Sequence, residues 1–345
     1  MKQQVAYILL ITVLFTQCKV DPEIKPALPA DDIRVVVPEG WPRPHYNFEN
    51  NPLTKEGFIL GRSLFYEPAL SRDNTISCGD CHQHFVAFAN AGHSLSHGVN
   101  GQLGNRNAPP LFNLTWHPYF MWDGGINHIE VQPLAPITNP VEMDETMENV
   151  IAKLKNKSNY RKMFKDAFGD DSITTQRIFR ALAQFMGSMY SYQSKYDMVK
   201  KGKATFSAAE QRGYNLFVQK CAICHKEPLM TDFSFKNNGL SVNPALQDSG
   251  RMRITGNPND RNKFKVPSLR NVALTSPYMH DGRFETLEQV LDHYRFGIVQ
   301  SPTLDTLLQN GIPMSDQEKQ DLIQFLYTLT DYEFIYDKKF DNPNR

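Results

Sequence analysis

The sequence predicts an all-α fold, and three observations support this prediction. Apolar residues recur at helical spacing in several stretches, for example over 147–154 and 178–189. Two Ser-x-x-Glu patterns have the spacing of capping boxes, which mark helix starts: Ser207 with Glu210 and Ser315 with Glu318. No sustained alternation of apolar and polar residues occurs, so strands should be few and short, with one expected around 264–266.

Length and charge limit the possible classes of function. A chain of 345 residues is long enough for about two domains. Lys plus Arg and Asp plus Glu number 37 each, so no net field attracts a polyanion, and we expect no nucleic-acid partner. A charged fraction of 21% and a mean hydropathy of -0.46 exclude a membrane bundle and a disordered polymer. The composition is typical of a soluble globular protein.

Residues 1–17 have the pattern of an export signal. Lys2 precedes an apolar run over 5–15, which is too short to span a bilayer but typical of a secretory signal. Cys18 follows directly, as the lipidated cysteine of a bacterial lipoprotein does; ordinary cleavage nearby, with Cys18 left as a thiol, is the alternative. We therefore expect a periplasmic lipoprotein that is attached to the membrane only by a lipid on Cys18.

The rest of the chain is predicted to form a tether and two domains. Six prolines and little periodicity predict an extended tether over 18–45. A short match between 61–65 and 213–217 indicates an internal repeat, because each copy precedes one of two cysteine pairs. A polar, glycine-containing segment near residue 200 is a plausible linker. We therefore predict an N-terminal domain over 46–199 and a C-terminal domain over 200–345.

Two five-residue motifs indicate the chemistry: Cys78-Gly-Asp-Cys81-His82 and Cys221-Ala-Ile-Cys224-His225. In this form two thiols add to the vinyl groups of a haem, and the histidine that follows ligates the iron. A zinc ribbon would need the pairs about 15–20 residues apart, and a thioredoxin-like dithiol would need a βαβ context. A disulfide within each motif is the remaining alternative, although it would close a very small loop. The motifs therefore predict two covalently bound haem c groups.

Six further stretches occur between Leu53 and Asp331 in a characteristic order: 106–109, 120–124, 132–136, 139–143, 266–271 and 276–282. With the two motifs, they resemble the bacterial dihaem cytochrome c peroxidase family, which includes the MauG-like enzymes. The resemblance implies two cytochrome c-like haem domains. The N-terminal haem would be the peroxide site, and the C-terminal haem would relay electrons.

The resemblance also implies roles for three residues near the first haem. Gln132 and Glu142 match a glutamine and a glutamate of the distal pocket, where a carboxylate can move a proton between the peroxide oxygens while an amide orients the ligand. Trp122 matches a tryptophan that carries electrons between the haems. The residues alone favour core packing for Trp122 and a surface or capping position for the other two.

Five residues match metal ligands of the family. His82 and His225 are the expected proximal iron ligands. Asn107 matches the side-chain ligand of an inter-haem calcium ion, and Thr275 and Pro277 match residues that ligate through backbone carbonyls, which are donors that suit Ca²⁺. A turn-forming role is the alternative for Asn107.

The sixth ligand of the second haem separates the subtypes of the family. The usual peroxidases carry a methionine fourteen residues after the histidine of the His-Asp-Gly motif, whereas MauG-like proteins carry a tyrosine. Counting from His280 gives Tyr294, which shares an inward helical stripe with residues of 287–291. Met279 and His293 are the alternative ligands.

His97 resembles the histidine that caps the peroxidatic haem of resting, reductively activated peroxidases, with His93 as the alternative. MauG-like sites are open on this side. The other three histidines of this half are interpreted as ordinary surface or core residues: His84, His117 and His128.

These expectations define three hypotheses. The first is a dihaem c-type peroxidase that reduces hydrogen peroxide to water with electrons from a small c-type cytochrome or cupredoxin. The second, motivated by Tyr294, is a MauG-like enzyme that uses peroxide to oxidise a protein or organic substrate through high-valent haems. The third is a non-enzymatic dihaem electron carrier, in which Gln132 and Glu142 would have no purpose. The resemblance also suggests a homodimer.

Overall fold

Residues 33–343 are the part of the chain that this computed structural model describes, and they are mostly helical, as predicted. Within them no helix combines the length and the hydrophobicity needed to cross a bilayer. The predicted export signal, Cys18 and the first part of the tether lie outside the described residues. Twelve α-helices occur in the described range: α1 (Lys55–Phe65), α2 (Cys78–Cys81), α3 (Leu134–Thr138), α4 (Met147–Lys155), α5 (Ser158–Phe168), α6 (Thr175–Gly187), α7 (Lys195–Lys200), α8 (Ala208–Lys220), α9 (Met252–Thr255), α10 (Leu287–Phe296), α11 (Asp316–Tyr327) and α12 (Tyr332–Ile335).

Both predicted capping boxes start helices. At the start of α8, the Glu210 carboxylate accepts the backbone N–H of Ser207 at 2.7 Å, and the Ser207 hydroxyl accepts the backbone N–H of Glu210 at 3.3 Å. Ser315 and Glu318 make the same pair of bonds at the start of α11. Such caps satisfy N–H groups that would otherwise lack a partner in the first turn, so the local sequence alone fixes where these helices begin.

The sheet is as small as the sequence predicts. Strand β1 (Phe235–Lys236) pairs antiparallel with β2 (Phe264–Lys265) over two residues. The second strand is the one expected around 264–266. Residues of both strands line the cavities described below, so the sheet forms part of the candidate site.

The sequence repeat marks the same helix crossing in both halves of the molecule. In the first half α1 packs on α6, and a Cβ added at Gly61 would lie 2.0 Å from the backbone oxygen of Ala181. In the second half α8 packs on α11, and a Cβ at Gly213 would lie 1.9 Å from the backbone oxygen of Asp321. Glycine therefore lets the two helix backbones touch in each half.

Two hydrophobic cores surround these crossings. One contains the buried faces of α1, α4, α5 and α6, and the other contains those of α8, α10 and α11. The chain end does not follow this division, because Phe334, Ile335 and Phe340 lie in the first core. Residues 332–340 therefore pack on the N-terminal half, although the sequence assigned 200–345 to one domain.

The described part of the predicted tether lies on the body of the protein. Residues 33–45 contain no helix or strand, but Val36 and Trp41 pack against an aromatic cluster with Trp116. The indole N–H of Trp116 donates to the backbone carbonyl of Pro42 at 2.8 Å. Residues 33–45 thus lack helix and strand, as expected of a tether, but apolar side chains among them pack on the body.

Candidate active site

The first cysteine motif lines a cavity of about 290 Å³ in the N-terminal half. Cys78 and Cys81 begin and end the short helix α2, and His82 follows directly. The helix start is fixed by Asp80, whose carboxylate accepts the backbone N–H and the hydroxyl of Ser77, both at 2.7 Å. Local capping therefore places both thiols and the imidazole at one wall of the cavity.

The His82 imidazole is prepared to ligate a metal through one nitrogen. Its Nδ1 lies 2.9 Å from the backbone oxygen of Phe88, so Nδ1 carries the hydrogen and Nε2 keeps its lone pair. Burial lowers the pKa of His82 to about 4, so the ring is neutral at physiological pH. The neutral ring is the form that binds metal ions.

The second motif lines a separate cavity of about 260 Å³ in the C-terminal half. Cys221, Cys224 and His225 lie in its wall, and Nδ1 of His225 lies 3.2 Å from the backbone oxygen of Met230 and 3.1 Å from that of Pro267. Burial lowers the pKa of His225, which keeps this ring neutral as well. The two motifs therefore have the same arrangement of thiols and imidazole.

The four motif cysteines carry free thiols in the structure, and no disulfide joins them. Burial raises the pKa of Cys78 and of Cys221 to about 12, and that of Cys81 to about 11, so these thiols are protonated. The cavity walls are mainly apolar, as is usual for cofactor sites. Paired thiols, an oriented neutral imidazole and an apolar cavity fit a covalently attached haem in each half.

Glu142 and Gln132 line the first cavity together with His82. The Asn139 amide donates to Glu142 Oε1 at 3.0 Å, which fixes the direction of the carboxylate. Burial raises the pKa of Glu142 above its ordinary value, although the Asn139 hydrogen bond acts in the opposite direction. The Gln132 amide lies near the sulfur of Met121. A partly buried carboxylate and an amide therefore line the same cavity as the first motif.

His97 also lines the first cavity, but it is exposed. Its ring makes an edge contact with the ring of His93 at a centroid distance of 4.5 Å. Gly98 follows, and a Cβ there would lie 2.4 Å from the backbone oxygen of Glu142. The loop with both histidines therefore packs beside Glu142 at the edge of the cavity. Whether His97 caps a haem stays a prediction.

The alternatives for the sixth ligand of the second haem occupy different positions. Tyr294 and Met279 both line the second cavity, whereas His293 does not. His293 is buried, and its Nε2 contacts the backbone oxygen of Asn238 at 3.0 Å. Asn238 lines the cavity as well, and its amide points toward the sulfur of Met279. Of the three alternatives, Tyr294 and Met279 therefore face the second cavity, and burial raises the pKa of the Tyr294 phenol.

Trp122 lines both cavities and therefore lies in the wall between them. Its indole N–H donates to the backbone carbonyl of Asn107 at 2.9 Å, and its own carbonyl accepts the backbone N–H of Lys265 at 2.7 Å. These two bonds fix the ring and the backbone of Trp122. A side chain that carried electrons between the two sites would have to lie in this shared wall, where Trp122 lies.

Asn107 lines both cavities, and Thr275 and Pro277 line the second. The Asn107 amide nitrogen donates to the backbone oxygens of His93 and Ser94, both at 3.2 Å. Within residues 33–343, no group of three or more His, Cys, Asp or Glu side chains forms a metal site. The calcium site of Asn107, Thr275 and Pro277 stays a prediction that depends on amide and carbonyl oxygens.

Sequence reasoning did not single out two charged side chains of the wall. Arg106 donates one hydrogen bond of 2.6 Å to Asp123 and two, of 2.6 and 2.9 Å, to Asp248. These ion pairs fix Asp123, the residue that follows Trp122. Lys265 lines both cavities beside Trp122. Neither role has a local sequence signal, because the partners are far apart in the chain.

A family model described as di-haem cytochrome c peroxidase matches residues 55–205. The methylamine utilization protein MauG of Methylorubrum extorquens is 36% identical over 296 residues, which is 85% of this chain and 82% of that protein. The cytochrome c551 peroxidase of Nitrosomonas europaea is 37% identical over 279 residues, 79% of each chain. The chain belongs to the di-haem cytochrome c peroxidase family.

Solved structures agree with this membership. A MauG-like protein associated with microbial copper homeostasis superposes with a TM-score of 0.82 at 34% identity, covering 90% of this chain and 99% of that one. The diheme peroxidase BthA of Burkholderia thailandensis shares the fold, with a TM-score of 0.71 at 22% identity. Membership in the di-haem family implies two haem c groups, and the relatives of this chain include both peroxidases and MauG proteins.

Proposed function

We propose that this protein is a dihaem c-type peroxidase that reduces hydrogen peroxide to water with electrons from a small redox protein. The observation that carries the proposal is the partly buried carboxylate of Glu142 in the same cavity as His82, with a pKa that desolvation raises. The one carboxylate that lines the second cavity within residues 33–343, Asp305, is paired with Lys236, and the wall also contains the phenol of Tyr294 and the thioether of Met279. This asymmetry supports one reactive site and one relay site.

The chain's own residues can supply what peroxide reduction needs at the first site. A haem held there provides a redox-active iron. Glu142 accepts a proton from the bound peroxide and returns it to the oxygen that leaves as water, while Gln132 orients the ligand. Trp122 lies between the two sites and conducts electrons from the second site to the first. In total, one molecule of hydrogen peroxide takes up two electrons and two protons and gives two molecules of water.

Steady-state assays of the haem-loaded protein test this proposal. Reduced cytochrome c or a reduced cupredoxin is mixed with hydrogen peroxide, and donor oxidation is followed optically. We expect two equivalents of one-electron donor to be oxidised for each peroxide consumed. Protein that carries two haems but oxidises no donor of either class would contradict the proposal.

Tyr294 favours a second candidate, a MauG-like enzyme that uses peroxide to oxidise a protein or organic substrate. Its phenol lies in the wall of the second cavity with Cys221, Cys224 and His225. A hard phenolate ligand favours oxidised states of iron, whereas a soft thioether favours the reduced state. The relatives named MauG and the MauG-like solved structure add weight to this alternative.

One experiment separates the two candidates. The haem-loaded protein is mixed with hydrogen peroxide in the absence of donor, and optical and EPR spectra are recorded over time. Oxidising equivalents that persist for minutes at both haems favour the MauG-like activity. Rapid return to the resting spectrum on addition of reduced cytochrome c favours the peroxidase. Two six-coordinate low-spin haems in every redox state, with no reaction, would leave only the electron carrier.

We also infer that the protein is exported to the periplasm and attached to the membrane by a lipid on Cys18, which lies outside the described residues. The sequence over 1–18 supports this inference. Labelling with a radioactive fatty acid tests it: wild-type protein should be labelled, and a Cys18→Ser variant should not. Unlabelled wild-type protein would contradict the lipid anchor but not export.

A further inference from the structure

One lysine lies in the wall that the two cavities share. Lys265 belongs to β2, and among the lysines and arginines of residues 33–343 it alone lines both cavities. Its Nζ donates to Tyr119 O at 2.9 Å and lies 3.2 Å from Nδ1 of His117. Its backbone N–H donates to the carbonyl of Trp122. The backbone of Lys265 therefore holds the loop of Trp122, and its charged end lies beside His117, a residue of the first cavity.

The charge of Lys265 has no counter-charge in this wall. A backbone carbonyl is uncharged, and His117 is neutral because burial lowers its pKa well below the ordinary value. Within residues 33–343 no carboxylate forms an ion pair with Lys265, and burial lowers the pKa of its ammonium to about 8. An ammonium has three N–H donors, of which Tyr119 and His117 occupy two, and a desolvated charge without a counter-charge is costly. The site therefore favours an anion.

The other cations of the cavity walls each line one cavity only; Arg253 lines the first and Lys220 the second, and two more are neutralised by carboxylates. Lys236 lines only the second cavity and pairs with Asp305 at 2.7 Å. Arg106 lines only the first cavity and is neutralised by Asp123 and Asp248. Lys265 thus combines two features that neither of them has: contact with both cavities and an unbalanced charge.

We propose that the ammonium of Lys265 donates its remaining N–H to a haem carboxylate and that its charge raises the reduction potential of both irons. The inference rests on the two haem c groups of the proposed function. Each haem c carries two propionate carboxylates, which take no part in the bonds to cysteine. A positive charge near the iron disfavours the more positive, oxidised state, and the effect is large where water is excluded. A single ammonium would thus influence the reduction potentials of both haems.

Redox titration of the haem-loaded protein tests the proposal. In a Lys265→Met variant we expect both midpoint potentials to fall. At a fixed potential near the wild-type midpoint, the ratio of reduced to oxidised haem should drop about tenfold at each site, which corresponds to about 59 mV for a one-electron couple. A Lys265→Arg variant keeps the charge and should stay within about threefold of the wild type at both haems.

Lys236→Met is the matched control, because it removes a lysine that lines only the second cavity and is already paired. It should leave the potential of the first haem unchanged. A Lys265→Met variant with wild-type potential at either haem would overturn the proposal of a shared charge. If Lys265→Met shows these shifts but the wild-type protein reduces no peroxide, the proposed function is overturned and this inference is not.

If the Lys265→Met variant does not fold, a second measurement, on the wild type and Lys265→Arg, still tests the proposal. The propionate bending bands in the resonance Raman spectrum respond to hydrogen bonding of the carboxylates. We expect these bands in the wild type and in Lys265→Arg to be shifted from those of a proteolytic haem peptide. Bands at the same frequency as those of the peptide would overturn the proposal without the methionine variant.

Discussion

The indole N–H of Trp122 donates a hydrogen bond of 2.9 Å to the backbone carbonyl of Asn107, and both residues line both cavities. The ring is thus held at a fixed position in the wall between two sites that each contain a Cys-x-x-Cys-His motif. Electron transfer falls off steeply with distance, so under the proposed function we expect the ring at this position to set the rate of electron transfer between the two sites.

A Trp122→Phe variant should keep both haems and its reaction with peroxide, but electron transfer from the second site should slow by about tenfold or more. Phenylalanine is harder to oxidise and cannot make the bond to Asn107. Stopped-flow spectra of protein with only the second haem reduced would measure this step. Trp116→Phe is the control, because Trp116 packs with Trp41 outside both cavities. Equal rates in wild type and Trp122→Phe would rule out this path.

A Glu142→Gln variant should lose about 10²- to 10⁴-fold of the rate of peroxide reduction, the usual contribution of a general base. Glu145→Gln is the control, because Glu145 pairs with Lys153 and lies outside the cavity. That variant should lose stability rather than rate. A Glu142→Gln enzyme with the wild-type rate would remove Glu142 from the mechanism.

The pH dependence of the rate should reflect the ionisation of the Glu142 carboxylate. Burial raises the pKa of Glu142 above its ordinary value of 4.5, and the ionised form is the base. Activity should therefore decline as the pH falls through this raised pKa, at a pH above 4.5. The decline should be missing from the residual activity of Glu142→Gln. The rate of the reaction with peroxide, measured across pH under single-turnover conditions, provides the test.

Replacing Tyr294 by methionine should change the axial ligands of the second haem. A thioether in place of the phenol favours the reduced iron, so the midpoint potential of this haem should rise and its EPR spectrum should change. Tyr278→Phe is the control, because Tyr278 also lines the second cavity but donates its hydroxyl to the Val272 carbonyl. Identical EPR and resonance Raman spectra for wild type and Tyr294→Met would mean that Tyr294 is not a ligand.

A Gly213→Ala variant should be destabilised by about 1–3 kcal/mol, because the new methyl group would press against the backbone oxygen of Asp321 in α11. Gly61→Ala should behave in the same way against Ala181 of α6. Denaturant unfolding of the haem-loaded protein measures both. Asn215→Ala, at an exposed position of α8, should change stability by no more than about 0.5 kcal/mol.

Local sequence was a good guide to elements whose causes are local. The capping boxes at Ser207 and Ser315 start α8 and α11, and the strand expected around 264–266 is β2. The helical stripe of α10 correctly indicated that Tyr294 faces inward, since it lines the second cavity. Each of these features depends on residues within one or two helical turns.

Long-range packing was harder to predict. The return of Phe334 and Phe340 to the N-terminal core and the packing of Trp41 on the body gave no recognisable pattern. The hydrophobic effect is non-directional, so the sequence does not indicate which of two cores an apolar residue near the end of the chain will join.

By itself the sequence determined how haem can be attached, because two thiols and an imidazole within five residues form one local unit. Only the tertiary structure decided what stands between the two sites. Asn107, Trp122 and Lys265 meet there from distant parts of the chain, and most of their bonds go to backbone carbonyls, which every residue possesses. Because every residue has a backbone carbonyl, these contacts cannot be inferred from residue types, and the shared wall can be identified only in the folded structure.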